Sequence, residues 1–138
     1  MDKSLRNQTA LSYSRYMPKV VIIEDDLAIS QMYRIKFEAE GYEVETAENG
    51  VLGLALIEKF NPDIILLDLM MPEMNGDEML DKLRSKPWGR TVKVVILTNM
   101  GEQEAPATLK SLNVSAFIVK ADMTPRQVAE LVKTQLAA

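Results

Sequence analysis

Residues 63–76 read Asp63-Ile64-Ile65-Leu66-Leu67-Asp68-Leu69-Met70-Met71-Pro72-Glu73-Met74-Asn75-Gly76. Four aliphatic residues in a row stop at an acid, and a loop rich in methionine with proline, asparagine and glycine follows. An uninterrupted apolar run this short reads as a strand covered on both faces, because a buried helix needs about ten residues or more. Strands covered on both faces belong to parallel sheets coated by crossover helices. Asp68 then stands at the carboxyl end of one of them.

Working outward, Lys19–Ile23, Tyr42–Thr46, Val92–Leu97 and Ser115–Val119 join Asp63–Leu67 as short β-rich runs. Between them apolar residues recur at helical spacing: Ile29, Met32, Tyr33 and Phe37; Leu52, Ala55, Leu56 and Phe60; Met79, Leu80 and Leu83; Val128, Leu131, Val132 and Leu136. Thr124, Pro125 and Gln127 spell a capping box with proline in the first helical position, which fixes the start of the last helix. Between the fourth and fifth strands Pro106 opposes a regular helix, so a late-starting or kinked one is predicted, with Leu109 and Leu112 on its buried face.

Strict alternation of strand and helix predicts an α/β fold, a doubly wound five-stranded parallel sheet with helices on both faces. Tyr42-Glu43-Val44-Glu45-Thr46 alternates polar and apolar and suits an edge. That is compatible with the flavodoxin-like order 2-1-3-4-5.

At 138 residues the chain is close to one domain in size, and its 47% hydrophobic and 26% charged content is that of a globular protein. A net charge of −4 argues against delocalised binding to nucleic acid or an anionic membrane. Residues 1–18 hold Lys3, Arg6 and Arg15 against Asp2, so they read as a separate N-terminal extension, polar and flexible, ahead of a more acidic body from 19 to 138. With no Cys and no His, thiolate or imidazole metal sites, Ser-His-Asp triads and phosphohistidine chemistry on this chain are excluded. No apolar run spans a bilayer and no secretory signal opens the chain, so a cytoplasmic location is expected. The nine methionines read as gap-fillers of the core, and Trp88 as a cover over a helix-to-strand turn.

Ligands of such sheets bind beyond the carboxyl ends of the strands. There stand Glu24, Asp25 and Asp26 after the first strand, Asp68 after the third, Thr98 and Asn99 after the fourth and Lys120 after the fifth. Singly, each is an ordinary turn residue, cap or surface charge. Together, several carboxylates in one crevice repel unless a cation neutralises them, and an all-oxygen set suits Mg²⁺. Glu24, Asp25 and Asp68 against Lys120 and one Mg²⁺ sum to zero formal charge, so a further anionic group is tolerated. A carboxylate is a nucleophile for phosphoryl transfer, and Mg²⁺, Lys and Thr match the needs of the phosphoryl oxygens. The site reads as a phosphoryl acceptor. Asp26 reads as the N-cap of the first helix.

From Lys19 to about Leu136 the chain resembles the receiver domain of two-component response regulators. Asp68-Leu69-Met70-Met71-Pro72-Glu73-Met74-Asn75-Gly76 is similar to the family's D-x-x-M-P-x-M-x-G loop, and Ile23-Glu24-Asp25-Asp26 to its acidic cluster. The resemblance implies that Asp68 is the phosphorylated aspartate, Asp25 a direct Mg²⁺ ligand, Glu24 a ligand through water and the Met70 carbonyl a further one. It makes Thr98 the switch hydroxyl, Lys120 the residue bonding a phosphoryl oxygen and Phe117 the aromatic that changes burial on activation. It implies a donor histidine kinase or histidine phosphotransfer protein and a protein target at the face of the fourth helix, fifth strand and fifth helix. It implies a monomer or a phosphorylation-dependent dimer, and a signalling switch rather than an enzyme.

Three positions depart from the family pattern. Asn99 replaces the usual small residue after the switch threonine, which bears on access to the acyl phosphate. Ala121 replaces the proline that commonly follows the lysine, so a trans bond or a different loop is expected there. Phe117 lacks the hydroxyl of the commoner tyrosine.

Two other readings remain open: a receiver-like binding module that is never phosphorylated, and a receiver fragment of a longer regulator. As the sequence stands, no output domain fits after Leu136 or within residues 1–18, so output by protein contact is expected. A phosphatase of the haloacid dehalogenase type is disfavoured because Met70 occupies the place of its second acid. A nucleotide-binding domain is disfavoured because no glycine-rich turn follows the first strand.

Overall fold

The computed structural model describes residues 17–138. The expected flexible extension at 1–18 therefore lies, up to residue 16, outside the described residues. Five strands form one parallel sheet: β1 (Lys19–Ile23), β2 (Glu43–Ala47), β3 (Ile64–Leu67), β4 (Lys93–Thr98) and β5 (Ala116–Val119). Their order is β2-β1-β3-β4-β5, with β2 at an edge as its alternation predicts. Among the described residues four α-helices accompany them: α1 (Leu27–Ala39), α2 (Gly50–Phe60), α3 (Gly76–Arg84) and α4 (Pro125–Ala137).

Alternate residues of the central strands go to opposite faces, and each face has its own core. Val20, Ile22, Ile64, Leu66, Val95 and Leu97 pack against Tyr33 and Phe37 of α1 and Val128 and Val132 of α4. Val21, Ile23, Ile65, Leu67, Val94 and Ile96 pack against Ile57 of α2 and Met79, Leu80 and Leu83 of α3. This two-sided burial explains why β3 is aliphatic at every position.

Local signals set the helix starts. Asp26 caps α1, its carboxylate accepting from the amides of Ala28 and Ile29 at 2.9 and 3.1 Å. Thr124 and Gln127 close the expected capping box on α4. Asn49 caps α2 through the amide of Leu52 at 2.9 Å.

The segment between β4 and β5 differs from expectation. The sequence predicts a kinked or late-starting helix there, but the chain forms two 3-10 turns, Glu102–Glu104 and Ala107–Ser111. Pro106 supplies no amide donor, and it forces Ala105 before it into an extended conformation at φ −67° and ψ 150°, which breaks the segment in two. Leu109 and Leu112 are nevertheless buried, as their spacing predicts.

Arg84 ties this region together. Its guanidinium donates to the carbonyls of Leu112 (2.8 Å), Val92 (2.7 Å), Asn113 (3.0 Å) and Gly89 (3.1 Å), so the end of α3 is fastened to the approaches of β4 and β5. Trp88 sits in the Pro87–Gly89 turn and packs on the α2/α3 core, as expected. Of the methionines, Met71, Met74 and Met79 fill the core. The gap-filler reading fails for Met17, Met32 and Met70, which are exposed.

Candidate functional site

Strand register brings the chosen residues together. Ile23 pairs with Leu67, so Glu24 and Asp68 follow side by side, and Thr98 pairs with Val119, directly before Lys120. Sheet-like hydrogen bonding runs one residue past the strands: the Glu24 amide donates to Ala47 O and the Asp68 amide to Ile23 O, both at 3.0 Å. Main chain therefore fixes both acids before any side-chain contact is considered.

Glu24 and Asp68 are buried at 4% and 6% exposure, while Asp25 is exposed. Carboxylate oxygens of Glu24, Asp25 and Asp68 all lie within 4.8 Å of one another. The Lys120 ammonium reaches between the two buried acids, donating to Asp68 Oδ2 at 3.0 Å and to Glu24 Oε1. Each acid also accepts one backbone amide: Asp68 Oδ1 from Met70 at 3.1 Å, and Glu24 Oε2 from Asp26 at 3.2 Å.

The electrostatics reflect one cation shared by two buried carboxylates. Burial raises Glu24 to about 7, although the bonds from Lys120 and the Asp26 amide pull the other way. Burial alone would lower Lys120, but its bonds to Glu24 and Asp68 more than reverse that and raise it. The two directions are consistent, because a single ammonium is held firmly by the pair yet does not fully offset the desolvation of Glu24. An oxygen-only set with surplus negative charge fits a hard divalent ion such as Mg²⁺, and two of its acids are already held in place by backbone amides.

The loop after Asp68 depends on Gly76. A β-carbon on this residue would lie 2.2 Å from the Asp68 carbonyl oxygen and 2.8 Å from Leu69 Cα. The Gly76 amide donates to Leu69 O at 3.0 Å, closing the loop into the start of α3.

Thr98 is fully buried at the end of β4, and its hydroxyl accepts from the Met100 amide at 3.4 Å, with no bond to the Asp68 carboxylate. Phe117 is partly buried and lines a groove with Pro106, Leu109 and Val114. Met70 places its amide on Asp68 while its side chain is 57% exposed, in a groove with Asp25, Pro72, Met100 and Pro106. Asn99 is exposed. No cis peptide bond occurs among the described residues, so Lys120 and Ala121 are joined in trans, and Lys120–Asp122 forms a 3-10 turn.

Sequence reading did not assign the amide donors of Asp26 and Met70, the packing role of Gly76 or the carbonyl contacts of Arg84. Only Gly76 carried a signal, as a glycine inside a recognisable loop. The others depend on backbone direction, which residue type does not specify.

The family model for the response regulator receiver domain matches residues 20–133, and the chain belongs to that family. It is 30% identical over 115 residues to the phosphate regulon transcriptional regulatory protein PhoB of Rhizobium meliloti, covering 83% of this chain and 51% of that protein. It is 33% identical over 118 residues to the transcriptional regulatory protein ResD of Bacillus subtilis, covering 86% of this chain and 48% of that one. The chain thus spans about half the length of these relatives. Among solved structures, a CheY-like response regulator receiver domain protein from Methanospirillum hungatei superimposes with a TM-score of 0.80 at 30% identity, over 88% of this chain and 94% of that one. Among the described residues no helix is long and apolar enough to cross a membrane.

Proposed function

We propose that this chain takes a phosphoryl group onto Asp68 from a phosphohistidine of a histidine kinase or histidine phosphotransfer protein, and passes the signal on by protein contact. The observation that carries this reading is the arrangement around Asp68. Its carboxylate is buried, fixed by Lys120 Nζ and the Met70 amide, and clustered with the oxygens of Glu24 and Asp25.

An Asp68 carboxylate oxygen attacks phosphorus, the phosphorus–nitrogen bond of the donor breaks, and imidazole leaves. Glu24, Asp25, Asp68 and the Met70 carbonyl would hold Mg²⁺, which supplies positive charge to the acids and the phosphoryl oxygens. Lys120 already touches Asp68 and can follow the charge onto a phosphoryl oxygen. Thr98, whose β5 register partner Val119 directly precedes that lysine, turns its hydroxyl from the Met100 amide toward the new group. That movement frees space beside β5 into which Phe117 repacks by shape alone. The affected face is built from the 3-10 segment, β5 and α4, where the protein target docks.

The chain is a switch rather than an enzyme in this account, since Asp68 ends each cycle carrying the transferred group until it is hydrolysed. Residues 19–138 form the receiver, residues 1–18 an extension, and the setting is cytoplasmic. The test is amide NMR with the phosphoryl mimic beryllofluoride and Mg²⁺. Shifts concentrated at residues 98–125, absent in Asp68→Asn, support the switch; unchanged shifts there contradict it.

A further inference from the structure

Three methionines of the acceptor loop sit in contrasting environments. Met71 and Met74 are buried at 7% and 8% exposure, whereas Met70 is 57% exposed, more than Met17 at 44% or Met32 at 43%. Of the exposed methionines among the described residues, only Met70 lies on the groove that holds Asp25, with Met100, Pro72 and Pro106 on the remaining walls. Its own amide is bonded to Asp68 Oδ1 at 3.1 Å, so the residue is tied through its main chain to the acceptor carboxylate. The protein has no cysteine to intercept an oxidant first.

A thioether in this position is accessible to hydroperoxides, and its oxidation changes a flexible apolar side chain into a polar one with a strong acceptor oxygen. We propose that Met70 is an oxidation site through which hydroperoxides slow phosphoryl entry at Asp68. This rests on the reading of Asp68 as the acceptor. The Met70 sulfur attacks one peroxide oxygen, an S–O bond forms as the O–O bond breaks, and water or an alcohol leaves. Sulfur is oxidised by two electrons and the peroxide is reduced by two. The sulfoxide then places an electron-rich oxygen in a groove already lined by Asp25 and Asp77, which repels the anionic donor. Methionine sulfoxide is reducible by a thiol-dependent reductase, so the change is reversible.

The test treats the full chain with graded hydrogen peroxide, maps added oxygen by peptide mass, and measures the rate of Asp68 phosphorylation by acetyl phosphate with Mg²⁺ on the same samples. Met70 should be oxidised well before Met71 and Met74, and the rate should fall severalfold in step with Met70 rather than with Met17 or Met32. A Met70→Leu variant, compared only with itself before and after peroxide, should keep its own rate. The proposal is overturned if Met70 oxidises no faster than its buried neighbours, if a fully oxidised Met70 leaves the rate unchanged, or if Met70→Leu loses rate in parallel. Untreated protein that never takes up phosphoryl would instead refute the acceptor reading, a different failure.

Discussion

The Lys120 ammonium lies 3.0 Å from Asp68 Oδ2 and also bonds Glu24, so one cation bridges the ends of β1, β3 and β5. Two of the three clustered acids that would hold a divalent ion thus also bond the ammonium, so Lys120 and Mg²⁺ would compete for their charge. Lys120→Met should bind Mg²⁺ severalfold more tightly while accepting phosphoryl more slowly, because the ammonium is lost from the phosphoryl oxygens. Calorimetric titration together with phosphorylation rates checks this. Weaker Mg²⁺ binding in the variant would contradict it.

The raised Glu24 sets a pH dependence. A carboxyl at about 7 in the fold, against 4.5 as its ordinary value, binds more protons folded than unfolded. Its contribution to stability is therefore full below pH 4.5 and is lost as pH rises toward 7. Mg²⁺ needs the ionised form, so its affinity should climb over the same approach to neutrality. Denaturant melts of the metal-free protein across this range, compared with Glu24→Gln, should show the slope vanish in the variant.

Gly76→Ala places a methyl group against the Asp68 carbonyl at a distance no packing accommodates. The main chain must move, so a stability loss of about 1–3 kcal/mol is expected, along with impaired phosphoryl uptake. Urea unfolding and phosphorylation measured on one preparation check both effects. Wild-type uptake in a stable variant would show that the loop is not held by this contact.

Arg84→Met removes donors from carbonyls at Gly89, Val92, Leu112 and Asn113. Leaving partly buried carbonyls unpaired should cost about 2–4 kcal/mol, without altering Mg²⁺ affinity at the far end of the sheet. Urea unfolding combined with Mg²⁺ titration separates the two effects.

Much of this architecture is legible in residue order because burial on both faces leaves a direct trace. Ile64–Leu67 and Val94–Leu97 are apolar throughout, while Glu43 and Glu45 mark the edge strand. Site residues are legible for a related reason: parallel strands put their carboxyl ends on one side, so Glu24 and Asp68 end adjacent strands, and the long Lys120 side chain reaches them from the end of β5, across β4. The broken segment at 102–111 was legible only as a conflict, since Pro106 forbids a regular helix without saying that two 3-10 turns take its place. Arg84 gave no sign at all, because its partners are carbonyls, which every residue carries. Phe117 is where its strand requires, pairing with Ile96, but the groove it lines with Pro106, Leu109 and Val114 is formed by the broken segment, which residue order does not foretell.

The measurement that tests the central claim most directly is the intact mass of the protein after incubation with acetyl phosphate and Mg²⁺, beside Asp68→Asn and a chelator control. The account predicts a single phosphoryl adduct that requires Mg²⁺ and is absent from Asp68→Asn. No adduct on the wild-type chain, or an adduct that persists when Asp68 is replaced, would contradict it.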